Sequence, residues 1–333
     1  MEREIPRIDM TGEVGLQIAK LIGEPINTQL PVPVAIEMIA DVFTADAGEH
    51  TWRIKNLDET ADVVLSVDAN GIITPVKRTP LIDVELSFSG FNTKLDYVLV
   101  EDVLNKVDVN ALARRKEAIT RGMDKRELKL ILDAILTPTN AVFPYNEVGG
   151  YDVTVASGDD LYDLFLKAKH GIEDYGDNYA ALVGSTVKEK IDTYDKDNVT
   201  SFNYNITLMD RLVKLGIETK KIFGKVSVAT NEAEVALLDA KKFIVVAKDS
   251  TIAEGKPIQF VRRKIDAGIA QLMNADVDSA QRAVIVNNTP VPINVAGVTN
   301  LVLGYGVYGY ESIVIAIKNP KAIATCDATS ILS

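Results

Sequence analysis

Residues 49–99 carry the clearest alternation of apolar and polar positions in the chain. Apolar residues recur at every second position from Val63 to Val67 and from Ile82 to Phe88, which is typical of β-strands. Asn70-Gly71 follows the first run, and Asn-Gly is the strongest short hairpin signal because both turn positions need positive φ. With a further strand from Phe91 to Val100, the pattern predicts a long β ribbon over 49–99.

Such a ribbon needs a cover. A two-stranded ribbon is only marginally stable alone in water, and its edges and apolar positions attract a partner. Either it folds back on its own domain or a neighbouring subunit covers it, and both interpretations stay open. Its candidate contact residues are Trp52, the acidic patch Asp58, Glu59 and Asp62 near the outer end, and the turn residues Asn70 and Gly71.

Residues 108–136 predict the longest helix, spanning roughly 40 Å at 1.5 Å per residue. Asp108 or Asn110 can cap its start, Thr137-Pro138 ends it, and Gly122 can mark a bend. One face is apolar, with Leu112, Ile119, Met123, Leu128, Leu130, Ile131, Leu132 and Ile135. The other face is basic and is either solvated or a contact surface: Arg114, Arg115, Lys116, Arg121, Lys125, Arg126 and Lys129.

Residues 150–290 alternate helices and strands. Asp159 is expected to cap a helix that ends at Gly171, and Thr186 with Glu189 predicts a capping box for the next helix. A third helix is predicted from Ile206 to Leu215, ended by Gly216. The predicted strands are Tyr179–Val183, Ile222–Val228, Phe243–Ala247, Ile258–Ile265 and, further on, Leu301–Ile317.

Composition and charge argue against several classes of protein, including nucleic-acid-binding, disulfide-stabilised and membrane-spanning proteins. The 333 residues are 47% hydrophobic with a formal net charge of -11, so the average surface repels nucleic acid and anionic membranes, while a local basic face remains allowed. Cys326 is the only cysteine, so no disulfide is expected to staple the fold, and we expect no signal peptide. Residues 283–310 carry no charge, but Pro290, Pro292 and several Asn and Gly predict buried strands and turns rather than a membrane helix.

No motif in the chain predicts catalysis or a cofactor. Gly304 to Gly309 matches G-x-G-x-x-G, but a dinucleotide site needs a helix after it, and Ser312–Ile317 is a β-branched run typical of a strand. Glycines that bend a strand or admit close packing explain it better. Ser66 to Gly71 resembles half of a calcium loop, but Lys77 stands at the twelfth position. Asp192, Asp195 and Asp197 are taken as a solvated acidic loop, and we expect no enzyme, cofactor or metal site.

The order of elements resembles the Hong Kong ninety-seven-type capsid fold of tailed bacteriophages and archaeal tailed viruses. An arm, a long ribbon, a long helix, a mixed α/β region and a terminal sheet follow one another as that family's N-arm, E-loop, spine helix, axial domain and peripheral domain. Three segments look like family segments: Ala180–Ser185 before a helix, Leu215-Gly216 followed by Ile222–Val228, and Ile313–Ile323 with its Pro-x-Ala.

The resemblance implies an α+β fold with these divisions: 1–48, N-arm and entry to the peripheral domain; 49–99, E-loop; 100–150, peripheral domain with spine helix; 151–298, axial domain; 299–333, return strands of the peripheral domain. The family often has a long N-terminal scaffolding segment, whereas here the ribbon begins within about fifty residues, so a separate scaffolding protein or none is implied. Lys55 and Lys77 lie in the ribbon region, but no Asn and Glu match the family's isopeptide cross-link.

The implied function is a shell protein that assembles with itself as pentamers and hexamers into an icosahedral capsid around double-stranded DNA. A scaffolding protein, a portal and a decoration protein are the implied partners, with non-specific DNA contact, no membrane, assembly in the host cytoplasm and a final place in the virion. The acidic ribbon patch is expected to meet a neighbour's Arg114, Arg115 and Arg121.

Three other interpretations stay open. An encapsulin-type nanocompartment would hold a protein cargo, which co-purification would reveal. A soluble α/β enzyme would bind a ligand at Gly304–Gly309 as a stable monomer. A tail protein would assemble into tubes or rings.

Overall fold

The computed structural model describes residues 33–55, 83–92, 96–99, 111–136, 150–193, 207–227, 233–250, 255–266, 281–295 and 298–332. The predicted arm (1–30), the ribbon strand Val63–Val67, the calcium-like loop, the helix cap at Asp108 or Asn110, Thr137-Pro138, and Asp195 with Asp197 lie outside these ranges.

A five-stranded mixed sheet forms one half of the fold. Its order is β6 (Tyr151–Asp152), β15 (Ile323–Asp327), β11 (Lys242–Ser250), β7 (Gly176–Val183) and β8 (Ile217–Lys221). The two outer pairs are parallel, and β11 runs antiparallel to both of its neighbours. Three helices pack on one face: α3 (Leu161–Ile172), α4 (Ser185–Thr193) and α5 (Leu208–Lys214).

Side chains of this sheet alternate between two cores, as period two requires. Ala181 and Val245 face the helices, where the rings of Phe165 and Phe243 stack 4.2 Å apart. The intervening residues, such as Leu182, face the opposite way into a second core. The sheet is therefore buried on both faces, which explains the nearly continuous apolar runs in its central strands.

A second sheet closes the other side of that core. It has the order β1 (Ala40–Ala45), β12 (Ile258–Arg263), β14 (Val298–Ile317) and β13 (Arg282–Val295). The short helix α1 (Val34–Ile39) and the long helix α2 (Ala111–Leu136) contribute to the core shared with the first sheet. Together the two sheets and five helices confirm the predicted α+β class.

Strands β13 and β14 form a continuous antiparallel pair from Arg282 opposite Glu311 to Val295 opposite Val298. The described residues of the uncharged stretch, 283–295 and 298–310, are therefore strand, as predicted. At about 3.4 Å per residue, the 20 residues of β14 run for roughly 65 Å.

Two strand predictions are wrong in part. The predicted strand Phe91–Val100 falls into β4 (Ser89–Asn92) and β5 (Asp96–Leu99), and both pair with β14 instead of extending the ribbon. The predicted strand Ile222–Val228 begins earlier, as β8, because Gly216 at φ 75° ends the preceding helix and the chain turns straight into the sheet. Only Lys225–Val226 (β9) remains of it, paired with Val235–Ala236 (β10).

Helix ends also shift by a residue or two. Asp160, not Asp159, caps α3, since its carboxylate accepts from the Asp163 N–H while Asp163 accepts in return from the Asp160 N–H. Asp159 instead pairs with Lys167 at 2.6 Å, and the helix runs on past Gly171 to Ile172. Helix α4 begins at Ser185, so Thr186 lies inside its first turn rather than at the cap.

Candidate assembly surfaces

The inner end of the predicted ribbon is present as two paired strands. In β2 (Thr51–Lys55) and β3 (Asp83–Ser87), Thr51 lies opposite Ser87 and Lys55 opposite Asp83. This antiparallel pairing confirms where the ribbon starts and returns. The outer residues Asp58, Glu59, Asp62, Asn70 and Gly71 lie outside the described ranges, and their contact role stays a prediction.

The base of the ribbon packs on the chain's own second sheet. The Trp52 Nε1–H donates to Gln259 Oε1 at 3.0 Å, and the Trp52 ring lies 5.8 Å from that of Phe43. Leu86 and Phe88 join Trp52 over a small core of Ala45, Val261 and Val314. The described strands of the ribbon are thus covered by their own subunit. A contact of Trp52 with a neighbouring subunit stays a prediction.

Strand β12 joins this base to the long helix. Gln259, Val261 and Arg263 face the ribbon, and the Arg263 guanidinium lies 5.6 Å from the Phe88 ring centroid. The alternate residues Ile258, Phe260 and Arg262 face α2. One strand therefore couples the ribbon base, on one face of the sheet, to the helix on the other.

The basic face of α2 is solvent-exposed only in part, because Arg126 and Lys129 are half-buried. Arg114, Arg115 and Arg121 are exposed, and Arg121 pairs with Glu117 at 3.6 Å one turn away. Such i,i+4 pairs contribute about 0.2–0.5 kcal/mol each. The described part of this face stays a candidate contact surface. Its pairing with the acidic ribbon patch stays a prediction, because that patch lies outside the described ranges.

The described part of the predicted apolar face of α2 is buried, apart from the half-buried Leu130, and one charged residue is buried with it. Ile119, Met123, Ile131 and Ile135 are buried at intervals of four residues or multiples of four. Glu127 occupies the remaining position of that row and is also fully buried. A carboxylate there is costly unless it is paired.

Four further charged side chains form a network of hydrogen bonds and ion pairs around Glu127. Arg262 donates from Nε and Nη2 to the two Glu127 oxygens at 2.8 and 2.7 Å. Arg282 donates from Nε to Glu311 Oε2 at 2.7 Å and from Nη1 to Asp124 Oδ1 at 2.6 Å. We call Asp124, Glu127, Arg262, Arg282 and Glu311 the buried charge cluster. It ties α2 to β12, β13 and β14 at one point.

The two glutamates of the cluster have opposite pKa shifts. Burial, then the hydrogen bond and charge of Glu127, raise the pKa of Glu311 well above its ordinary value. Burial alone would raise the pKa of Glu127, but hydrogen bonds with Glu311 and Arg262 and the charges of both arginines bring it below the ordinary value. With two arginines against three acids, the cluster is closest to neutral when Glu311 carries a proton.

Sequence reasoning missed this cluster, although two signals were present. Glu127 interrupts an i+4 row of apolar residues, and Arg282 and Glu311 bound the uncharged stretch 283–310 on either side. A hairpin across that stretch places the two bounding charges opposite each other, as the register shows.

The glycine-rich segment is strand, so the nucleotide interpretation is wrong. Gly304–Gly309 lies within β14, which continues to Ile317 with no helix after the glycines. A Cβ on Gly309 would lie 2.5 Å from Met123 Sδ and 2.9 Å from Ile119 Cγ2. The glycine lets α2 approach the sheet closely.

Cys326 is buried in the first core. Burial, followed by the charges of Asp152 and Asp327, raises the pKa of its thiol to about 12. The thiolate, the reactive form, is therefore scarce near neutral pH. Among the described helices, none has the length and apolar character needed to span a membrane.

Comparison with known proteins finds likeness in structure rather than in sequence. No protein-family model and no curated protein matches the sequence. The capsid of a native GTA particle matches at 10% identity and TM-score 0.53, over 91% of this chain and 92% of that one. The capsid of an empty GTA particle matches at 10% identity and TM-score 0.51, over the same shares. A virus-like particle from Pyrococcus furiosus matches at 13% identity and TM-score 0.45, over 96% of this chain and 100% of that one.

The two GTA capsid matches, with TM-scores above 0.5, extend over 91% of this chain, so they concern its architecture and not one motif. The chain has the Hong Kong ninety-seven-type capsid fold.

Proposed function

We propose that this chain is the major shell protein of a tailed virus, assembling with itself into an icosahedral capsid around double-stranded DNA. The observation that carries the proposal is the capsid fold, shared with GTA capsids over 91% of the chain. The subunits would form pentamers and hexamers in the host cytoplasm and end in the virion. A portal, a decoration protein and a separate scaffolding protein are its proposed partners, and the basic face of α2 is a candidate for non-specific contact with packaged DNA.

The ribbon supports this function. The described base of the ribbon is held by its own sheet, through Trp52, Leu86 and Phe88. Twenty-seven residues, 56–82, connect the last described pair, Lys55 opposite Asp83. In a shell, that segment would reach a neighbouring subunit. Many weak contacts of this kind suffice, because each closed contact raises the effective concentration of the next.

We assign the domains as 1–48, 49–99, 100–150, 151–298 and 299–333, in the order N-arm, E-loop, peripheral domain with spine helix, axial domain and peripheral return strands. The chain passes between the sheets more than once: β12 (within 151–298) joins the second sheet, and β15 (within 299–333) joins the first. These crossings, and the core shared by both sheets, favour a subunit that moves as one stiff body during assembly.

Size-exclusion chromatography with negative-stain electron microscopy on the expressed chain tests the proposal. We expect rings of five or six subunits, or closed shells. A monomer that stays unassembled even with its neighbouring gene products would refute the proposal.

A ribbon deletion gives the matched control. Replacing 56–82 by Asn-Gly joins β2 to β3 by a two-residue hairpin at the pair where the described register stops. This variant should fold as the intact chain does, because Trp52, Leu86 and Phe88 remain. It should lose closed shells, since its reach to a neighbour is gone.

A further inference from the structure

The two edges of the first sheet differ in charge. Its edge strands are β8 and β6, at opposite ends of the five-strand order. Both edges lie on a chain whose formal net charge is -11, so a local basic surface is unusual. Each edge also carries a partly exposed aromatic side chain.

The β8 edge is basic. Its one glutamate, Glu218, is paired with Lys248 at 3.0 Å. Four exposed lysines lie on this edge and its flanks, and none of them forms an ion pair with another described residue: Lys214, Lys220, Lys221 and Lys225. Lys214 interacts electrostatically with Asp210 of the same helix, whereas the positive charge of the other three is left for an outside partner.

An apolar centre lies among these lysines. Phe223 is 73% exposed, and Val213 on α5 is 61% exposed. Gly224, at φ 106°, makes the turn that follows Phe223, and Lys221 Nζ lies 6.0 Å from the Phe223 ring centroid. An exposed aromatic ring within a charged rim has the composition of a contact site rather than of ordinary surface.

The β6 edge is acidic. Lys167 and Lys242 at this edge are each already paired with an aspartate, Lys167 with Asp159 and Lys242 with Asp327. Asp152 on β6 is exposed and has no lysine or arginine partner among the described residues. The edge and the entry to α3 carry five aspartates in total: Asp152, Asp159, Asp160, Asp163 and Asp327.

This acidic edge also offers an apolar surface. The Tyr151 ring is 41% exposed and lies against Gly171 of α3, where any Cβ would collide with the ring. The glycine thus allows the ring to lie flat on the helix. Phe223 and Tyr151 are the exposed aromatic centres of the two opposite edges.

We propose that the β8 edge of one subunit binds the β6 edge of the next copy, head to tail, with Lys221 and Lys225 against Asp152 and Phe223 against Tyr151. A ring needs two different surfaces on each subunit that complement each other, and these edges provide them. Like charges exclude the pairing of two identical edges, so charge selects the ring arrangement. This proposal rests on the proposed shell function and names the contact within each ring.

Charge reversal tests the contact on the full chain. A basic-edge variant carries Lys221→Glu and Lys225→Glu, and an acidic-edge variant carries Asp152→Lys. Native mass spectrometry at low salt should show the ring fraction falling at least tenfold for each variant, with thermal unfolding unchanged. Lys190→Glu, an exposed lysine on α4 away from both edge strands, makes the same kind of charge change and should leave the rings intact.

Recombining the reversals identifies the partner surfaces. A chain with all three substitutions should recover rings of both sizes. An equal mixture of the two variants should form alternating rings, which close only with an even number of subunits, so hexamers return and pentamers do not. Phe223→Ala, at a surface position that folding does not need, should lower the ring fraction about tenfold by itself.

Each outcome decides the proposal. If the unmodified chain assembles but the reversal variants or Phe223→Ala assemble equally well, or if the triple variant recovers nothing, the edge contact is wrong and the shell function stands. If the unmodified chain never assembles with its neighbouring gene products, the shell function and the edge contact fail together.

Discussion

At the scale of single residues, the buried charge cluster is the least expected feature of the molecule. Apolar residues of similar volume would often be as stable there, whereas removing one partner of a buried pair costs about 3–5 kcal/mol. Glu127 contacts both arginines, with Arg282 Nη2 at 3.1 Å in addition to the Arg262 bonds. The cluster therefore makes the seating of α2 specific, because a shifted helix would leave buried charges unpaired.

The two glutamates should respond differently to pH. The folded pKa of Glu311 is raised, so the folded state holds its proton more tightly and the stability it contributes is lost as pH rises above about 4.5. The folded pKa of Glu127 is lowered, so its contribution is present above that pH and is lost on acidification. Glu311→Gln should flatten the fall in unfolding free energy as pH rises above 4.5. Glu127→Gln should lower the unfolding free energy by about 3–5 kcal/mol above that pH.

Urea unfolding of unassembled subunits across this pH range measures both effects. Glu311→Gln imitates the protonated side chain in shape, so it serves as the matched control for Glu127→Gln. Parallel pH profiles for Glu311→Gln and the unmodified chain would contradict the assignment of the proton to Glu311.

At the scale of elements, the packing of α2 on β14 determines the geometry of the subunit. The helix of 26 residues is about 39 Å long and touches the sheet closely at Gly309. The same strand holds Glu311, two residues further on, so close contact and charge pairing lie next to each other. The close contact at Gly309 thus limits how far α2 lies from the sheet. The ion pairs of the buried charge cluster determine its position along the sheet.

Gly309→Ala should destabilise the subunit by about 1–3 kcal/mol, because the new Cβ overpacks against Met123 and Ile119. Gly122→Ala, on α2 itself, is the matched control. Nothing lies within 4 Å of a Cβ there, so alanine should stabilise the helix by up to about 1 kcal/mol. Guanidinium unfolding of both variants gives the comparison, and a change of equal sign and size would show that α2 does not approach β14 as described.

At the scale of the whole molecule, assembly must overcome the repulsion among copies that each carry a net charge of -11. Basic surfaces are few, and the described ones are the α2 face and the β8 edge. The acidic ribbon patch at Asp58, Glu59 and Asp62 is a candidate for pairing with the first of these. In such a shell, electrostatic contacts would set the assembly rate and its salt dependence more than the final stability.

Reversing Asp58 and Glu59 to Lys should impair shell formation more than folding. The free energy of unfolding, measured by thermal unfolding, should stay within about 0.5 kcal/mol of that of the unmodified chain, as is usual for surface changes. Light scattering during assembly, with electron microscopy of the product, measures the effect. Glu189→Lys, at an exposed site on α4, makes half of this change in net charge away from the ribbon and should leave shell formation intact. Normal shells from the ribbon variant would rule out its acidic patch as a required contact.

Much of the local structure could be predicted because its cause is local. The burial of Ile119, Met123, Leu128 and Ile135 follows from helical periodicity. Strand β3 follows from the alternation of Ile82–Phe88, and β7 from the apolar run Tyr179–Val183. Helix ends were less certain, since Asp159 and Asp160 are both good caps and only the backbone direction selects the second. The order of elements alone was sufficient to indicate the capsid fold.

Pairing between distant segments was decided by the tertiary structure. That β4 and β5 add to β14, that β15 joins β11, and that Arg262 reaches Glu127 across 135 positions all depend on which surfaces meet after collapse. The sequence by itself determined most of the longer helices and strands, their order and their apolar faces, because each residue's neighbours along the chain set the period. Only the tertiary structure decided which faces pack against each other. Strands pair, and buried charged side chains find partners, only between distant segments that the folded chain brings together.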